Sequence, residues 1–305
     1  MKQPSFFIVG APKSGTTALC KYLAQHPEIF IPPAKELNYF NTDLNPNRKA
    51  KNLTEYLALF TPGEGKVCGE GSTSYLRSKN AAQEIKAFNP QAKIIIMLRE
   101  PVSLLYSFHS QNLYNGNSED IQDFQLAMET EFERRQGKKI PSKCTNPEIL
   151  FYRNIVNFTA QIQRYFDTFG RERVKIILFD DYKQDTAKTF REILEFLEVN
   201  PNFSTEFTAM NSNKKVRSTI LQQLVKYPPS KILEIGKYFL PLPRQQRRAI
   251  LEKLKGILKK ANTEKTTRKP LNPEFQHSLQ QEFAPEVERL SQLLGRDLTH
   301  WRKNN

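Results

Sequence analysis

Short apolar runs punctuate the first two thirds of the chain, and each stops abruptly at a glycine or a charged residue. Phe6-Phe-Ile-Val9 stops at Gly10, Lys93-Ile-Ile-Ile-Met-Leu98 at Arg99, and Val174-Lys-Ile-Ile-Leu-Phe179 at Asp180. Runs of this length without polar alternation are the pattern of strands buried on both faces of a parallel sheet. Ser5 to Gly10 reads as the first such strand, and Lys66 to Glu70 as a shorter one that enters a Gly/Ser/Thr turn. Between the runs lie stretches with helical spacing. Thr16 to His26 is stopped by Pro27, and Asn52 to Phe60 and Asn80 to Phe88 follow. Pro101 opens the next helix at its first turn, where proline is tolerated. Longer helical patterns cover Asp120 to Arg135 and Glu148 to Phe169, and Thr186 to Leu197 closes the series. Alternating strands and helices predict an α/β fold with a central parallel sheet flanked by helices. Ligands of such sheets bind at the carboxyl ends of the strands, so the turns after Val9, Val67 and Leu98 are the places to look.

The last third changes character. Pro228-Pro229, Pro241 and Pro243 break it, and Gln245 to Ala261 has the pattern of a basic amphipathic helix. Ile250, Leu251, Leu254, Ile257 and Leu258 share one face of that helix, and the reading is a core-packed helix with a solvated charged side. Asn262 to Pro270 is polar, carries Arg268 and Lys269, and reads as a mobile loop over the site. The expected organisation is a single P-loop-like domain over 1–305. Residues 1–200 form its nucleotide-binding α/β core, and 201–305 a mostly helical C-terminal extension.

Composition narrows the partners. Among 305 residues, 46 are Lys or Arg against 32 Asp or Glu, a formal net charge of +14 that favours an anionic ligand. The three cysteines, Cys20, Cys68 and Cys144, lie far apart without CxxC spacing. That argues against a disulfide framework or zinc site and fits a reducing cytosol. No stretch approaches the ~20 apolar residues of a membrane span. A cytoplasmic protein with no transmembrane segment is expected.

Three segments carry chemistry. Gly10-Ala-Pro-Lys-Ser-Gly-Thr-Thr17 joins an apolar strand to a helix, the arrangement that cradles a phosphate on backbone N–H groups and a helix N-terminus. Lys13 adds charge, and Ser14, Thr16 and Thr17 add hydroxyls. The segment differs from a nucleoside-triphosphate loop: Thr16 follows Gly15 where that motif has Lys, and the lysine comes earlier. It suits a phosphate without demanding a metal. Arg99 stands at a strand end, where a guanidinium can grip an anion, and Ser107 lies about two turns into the next helix. Glu70 stands at another strand end beside Gly71, a carboxylate placed to take a proton.

Together these segments resemble the sulfotransferases that use 3′-phosphoadenosine 5′-phosphosulfate (PAPS). Ala11 to Thr17 is similar to the family's 5′-phosphosulfate loop, and Arg99 with Ser107 to its 3′-phosphate motif. Tyr152 opens a helix like the one that follows the family's acceptor loops. Leu290 to Trp301 resembles the ending of bacterial and glycan-type members. The resemblance implies that Lys13, Ser14, Gly15, Thr16, Thr17, Arg99, Ser107 and Tyr152 hold the cofactor, joined by Lys215 or Arg217, with Lys214 a further candidate. It implies transfer of a sulfonyl group to an acceptor hydroxyl of a carbohydrate, lipid or secondary metabolite, with no metal and no nucleic acid. The segment Glu70-Gly-Ser-Thr-Ser-Tyr75 keeps the Glu and Tyr of heparan-type members but has Gly71 where they carry Lys. Glu70 is therefore the expected base, with His109 in Ser107-Phe-His-Ser110 as the second candidate. Lys35 is placed on the acceptor side, and residues 41–65 and 115–145 form the acceptor loops. A P-loop kinase and a non-catalytic polyanion binder are the competing readings.

Overall fold

Five parallel strands form the centre of a computed structural model of the chain: β1 (Phe6–Gly10), β2 (Ile29–Phe30), β3 (Val67–Gly71), β4 (Lys93–Leu98) and β5 (Val174–Leu178). The structure describes residues 3–45, 50–116, 118–207, 214–218, 221, 250, 253–258, 261–265 and 268–302. The sheet order is β2-β3-β1-β4-β5, so the chain leaves β1 toward one edge and later returns to build the other. β1 pairs with β3 in the register Phe7↔Glu70 and with β4 in the register Phe7↔Ile94. The crevice at the carboxyl end of β1, between β3 and β4, is the topological switch point where such sheets bind ligands.

β1 and β4 bury both faces, as their apolar runs require. Phe7, Val9, Ile94, Ile96 and Leu98 point to one side. They meet α3 (Ala81–Phe88), α4 (Pro101–Asn115), α8 (Phe158–Phe169) and the C-terminal helix (Pro273–Leu294). Phe6, Ile8, Ile95 and Met97 point to the other side, against α1 (Thr16–Leu23) and α10 (Thr186–Phe196). Each such side chain, fully buried, stabilises the fold by about 1.5–3 kcal/mol before entropy is subtracted. A second, two-stranded antiparallel sheet joins β6 (Lys214–Val216) to β7 (Thr263–Lys265). It lies against α4, where the Tyr114 and Thr263 hydroxyls are 3.2 Å apart. No helix among the described residues is long and apolar enough to cross a membrane.

Several local expectations are corrected. The first helix ends at Leu23 rather than His26, because the His26 ring is used beyond it: Nδ1 accepts from Glu28 N and Nε2 donates to Asn200 O. The pattern at 120–135 is not one helix. Glu119 accepts from the N–H groups of Asp120 and Ile121, and Asp123 then caps α5 (Phe124–Glu129), which Thr130 separates from α6 (Glu131–Arg135). Residues 148–169 likewise break at Phe151 and Asn157 into a 3-10 turn, α7 (Tyr152–Ile155) and α8. In the basic segment, 253–258 is helical, but Leu254, Ile257 and Leu258 are 48%, 57% and 42% exposed, so they are not packed in the core.

Candidate active site

The β1 strand delivers its last residue, Gly10, to a turn in which Lys13 and Gly15 both adopt left-handed backbone (φ 63° and 91°). Gly15 is required there, since a Cβ would strain the backbone and would also meet Met97 and Phe179 at 3.3 Å. The turn feeds directly into α1, whose N-cap is Gly15 and brings no side-chain acceptor to the first-turn N–H groups. A helix end of this kind attracts an anion. Ser14 and Thr16 are buried in the turn. Lys13 reaches α4, where Nζ donates to Gln111 Oε1 at 3.2 Å.

A second cationic group adjoins the turn. Arg99, at the end of β4, donates from Nη1 to the Lys13 carbonyl at 3.2 Å and lies over the Phe179 ring at 5.0 Å. Glu100 caps α4 through Val102 N and Ser103 N, which aims the start of that helix at the same edge. From the far end of the chain, Arg268 Nη2 donates to Ser107 Oγ at 2.9 Å and its guanidinium lies over the Tyr106 ring at 5.5 Å. The Tyr106 hydroxyl donates to Lys269 O at 2.9 Å and fixes that segment on α4. Burial lowers the pKa of both guanidiniums, and the charge of Arg99 lowers that of Arg268 further. Two cations held close and partly desolvated form a site that an anion relieves.

The opposite flank carries carboxylates. Lys35 Nζ donates to Thr16 Oγ1 at 2.9 Å and to Thr17 Oγ1 at 3.0 Å, at the mouth of the β1–α1 turn. It pairs with Glu36 at 3.5 Å, and the Glu36 side chain is 38% exposed. Glu36 also accepts from Thr73 N at 2.8 Å and from the Thr73 hydroxyl at 3.1 Å. Glu70 lies behind this pair, 1% exposed. Its carboxylate accepts from the hydroxyls of Ser72 at 2.5 Å, Tyr75 at 2.7 Å and Tyr56. Burial pushes its pKa up to about 6, against the lowering effect of those bonds.

Comparison with known proteins agrees with this geometry. The family model described as "Sulfotransferase domain" matches residues 3–239. The chain belongs to the sulfotransferase family. It is 28% identical to the crystal structure of a sulfotransferase from Alicyclobacillus acidocaldarius, with a TM-score of 0.72 over 99% of this chain and 100% of that one. Among curated relatives, a bifunctional heparan sulfate N-deacetylase/N-sulfotransferase 1 of Caenorhabditis briggsae is 24% identical over 67% of this chain and 23% of its own length. Carbohydrate sulfotransferase 15 of Mus musculus is 24% identical over 65% of this chain and 44% of its own length. The chain thus spans less than half the length of either curated relative.

This sulfotransferase brings Lys13, Ser14, Gly15, Thr16 and Thr17 together with Arg99 and Ser107. Other residues singled out in the sequence are occupied otherwise. The Tyr152 hydroxyl is buried and donates to Glu119 Oε2 at 2.6 Å. His109 is 1% exposed and its Nε2 donates to the Ile121 carbonyl at 2.8 Å, while burial lowers its pKa. The ring holds the turn before α5. Arg217 is exposed and pairs with Glu264 at 3.5 Å. The Lys215 backbone pairs with Glu264 across the β6–β7 ribbon, and the Lys214 and Lys215 side chains lie outside the described residues. Arg268 and Glu36 were missed as site residues. The polar stretch Asn262 to Pro270 was the available signal for Arg268, and the run Lys35-Glu-Leu-Asn-Tyr-Phe40 for Glu36.

Proposed function

We propose that this sulfotransferase moves a sulfonyl group from PAPS to a hydroxyl of a carbohydrate acceptor. One observation carries the reading: two anion sites adjoin each other at the carboxyl edge of the sheet, linked by the bond from Arg99 to the Lys13 carbonyl. The β1–α1 turn with Lys13 is the first site. Arg99, Ser107 and Arg268 are the second. This donor set fits a nucleotide phosphorylated at both its 5′ and 3′ positions. When bound, PAPS supplies an activated sulfonyl group.

The chain's own residues would then work by position and charge. The N-terminus of α1 and the Thr16 and Thr17 hydroxyls hold the 5′ end. Lys13 neutralises charge that develops on the leaving oxygen. Arg99, Ser107 and Arg268 hold the 3′-phosphate. Glu36 takes the acceptor's proton. Its carboxylate is half-open to solvent and stands beside Lys35, whose ammonium touches the turn. Glu70 is the base expected from the sequence, but its sealed carboxylate already accepts three hydroxyl protons. A carbohydrate acceptor is supported by the glycan-directed relatives, and an anionic one by the chain's basic excess.

The test is calorimetry with 3′,5′-diphosphoadenosine, compared with ATP and magnesium, followed by transfer of labelled sulfate to O-desulfated heparin and to neutral glycosides. Binding of the diphosphate without metal, weakened in Lys13→Ala, is expected, together with label on the glycan. A preference for Mg-ATP would overturn the reading. Loss of ~100-fold or more in turnover for Glu36→Gln is the result expected of a proton acceptor.

A further inference from the structure

We infer that Glu70 is a positioning residue: through the hydroxyls of Ser72 and Tyr75 it holds the loop 36–40 that presents Glu36 and Lys35 to the phosphate turn. Each of these hydroxyls has a single proton, and both protons go to Glu70 Oε1, from Ser72 at 2.5 Å and from Tyr75 at 2.7 Å. Their lone pairs are thereby turned toward the loop. Ser72 Oγ accepts from Asn38 N at 3.0 Å, and Tyr75 Oη accepts from Tyr39 N at 2.7 Å and Phe40 N at 3.2 Å. The loop needs such an anchor. Glu36 and Asn38 both adopt left-handed backbone (φ 58° and 52°), which persists where the surroundings over-determine it. Glu36 N adds a bond to Gly71 O at 3.0 Å, next to Glu70 in β3.

The ionisation of Glu70 enters the same geometry. A protonated carboxyl must itself donate; with the proton on Oε2 it donates to the Tyr56 hydroxyl, and Oε1 still accepts from Ser72 and Tyr75. The titratable groups facing Glu70 are Tyr56 from α2 (Leu53–Ala58), Tyr75 from the turn after β3 and Glu36 from the loop. Cys20 from α1 faces it as well, with Lys35 beside Cys20. With Glu70 pushed up to about 6 by burial, protonation below that value reverses the Tyr56 bond and leaves the anchor in place.

The consequence for catalysis rests on the sulfotransferase reading, whereas the anchor itself does not. The experiment is therefore amide hydrogen exchange on the full chain, with diphosphoadenosine calorimetry and transfer kinetics on O-desulfated heparin alongside. In Glu70→Ala, the amides of Asn38, Tyr39 and Phe40 are expected to exchange about 10-fold faster or more, the scale of one charge-assisted hydrogen bond. Amides of β1 and β4 and the affinity for diphosphoadenosine stay unchanged. Tyr75→Phe keeps the carboxylate and produces the same local effect at Tyr39 and Phe40, which covers the case in which Glu70→Ala does not fold. Glu70→Gln restores protection, because its Oε1 still accepts from Ser72 and Tyr75 while its amide N–H turns to Tyr56. After correction for intrinsic rates, protection at 38–40 stays level through about pH 6 in wild type and in Glu70→Gln alike. Unchanged exchange at 38–40 in both Glu70→Ala and Tyr75→Phe would overturn the inference. So would a Glu70→Gln enzyme with normal exchange and turnover lost at unchanged KM, which would make Glu70 the base. A wild-type chain that neither binds diphosphoadenosine nor transfers sulfate would instead sink the function and leave the exchange result standing.

Discussion

Arg268 and Arg217 are both arginines of the C-terminal region near α4, and their partners separate them. Arg268 meets Ser107 and feels the charge of Arg99, a repulsion that a bound anion would relieve. Arg217 meets Glu264 on an exposed ribbon, where an ion pair contributes little. Arg268→Ala should therefore weaken diphosphoadenosine about 10- to 100-fold by calorimetry, the range for a hydrogen bond to a charged group. Arg217→Ala should leave it unchanged. Equal losses would mean that the 3′-phosphate lies on the ribbon. Glu70 allows a second test at this scale. Burial raises its carboxyl from 4.5 to about 6, so the folded chain binds that proton more tightly than the unfolded one. The resulting stability is fully present below pH 4.5 and is lost as pH rises through about 6, amounting to roughly 2 kcal/mol. Urea titrations of wild type and Glu70→Gln should show the variant gaining by up to that amount between pH 4.5 and 7. A pH-independent difference would mean that Glu70 titrates normally.

The network that joins α6, α7 and the segment before α5 is an element-scale device that the sequence hides. Arg134 on α6 and Glu119 before α5 are both sealed from solvent and joined by two bonds of 2.7 and 2.6 Å, with the Tyr152 hydroxyl on the same carboxylate. Burial alone would raise Glu119, but the bonds from Arg134 and Tyr152 outweigh it and lower its pKa. Its contribution is therefore present above the unfolded pKa and is lost as pH falls through the lower folded value. Removing one partner leaves a buried charge, so Arg134→Met should cost about 3–5 kcal/mol in urea unfolding. A loss under 1 kcal/mol would show that the loops relax and rehydrate the carboxylate. This network also explains what could be read in advance. β1, β4 and β5 were legible because a doubly buried parallel strand is a continuous apolar run. The two residues of β2 were too few to register as a run. The breaks at 120–135 and 148–169 come from Glu119 and Asp123, and from Asn146 at the 3-10 turn, bonding backbone in ways that helical spacing does not reveal. Arg99 and Ser107 were legible because strand end and helix turn set their spacing. Arg268 was not, because pairing of β6 with β7 carries it across 161 positions to Ser107. Glu70 was legible as a strand-end carboxylate, but its burial depends on Tyr56 and Tyr75, which the sheet brings to it.

For the molecule as a whole, the formal charge of +14 acts over a longer range than any of these contacts. Asp180 and Asp181 are already used: Trp301 Nε1 donates to Asp180 at 2.6 Å, and Arg296 holds Asp181. Those bonds tie the end of the chain to α9 (Phe179–Gln184), whose Phe179 ring lies beneath Arg99 and beside Gly15. Asp180, close to Arg99, and its neighbour Asp181 are thus committed to the fold, and the chain as a whole stays positive. A positive field raises the encounter rate with anionic acceptors and is screened over about 8–10 Å at 0.1–0.15 M salt. With diphosphoadenosine sites saturated by donor, kcat/KM for O-desulfated heparin should fall ~10-fold or more between 25 and 250 mM salt, while that for a neutral glycoside changes less than about 2-fold. The comparison at saturating donor removes the salt dependence of nucleotide binding, which is also ionic. A parallel fall for both acceptors would locate the salt effect in the site itself, at Lys13, Arg99 and Arg268. A flat response for both would mean that the basic excess serves another anionic partner, and the exposed Leu254, Ile257 and Leu258 beside Lys253 and Lys255 would be the next surface to examine.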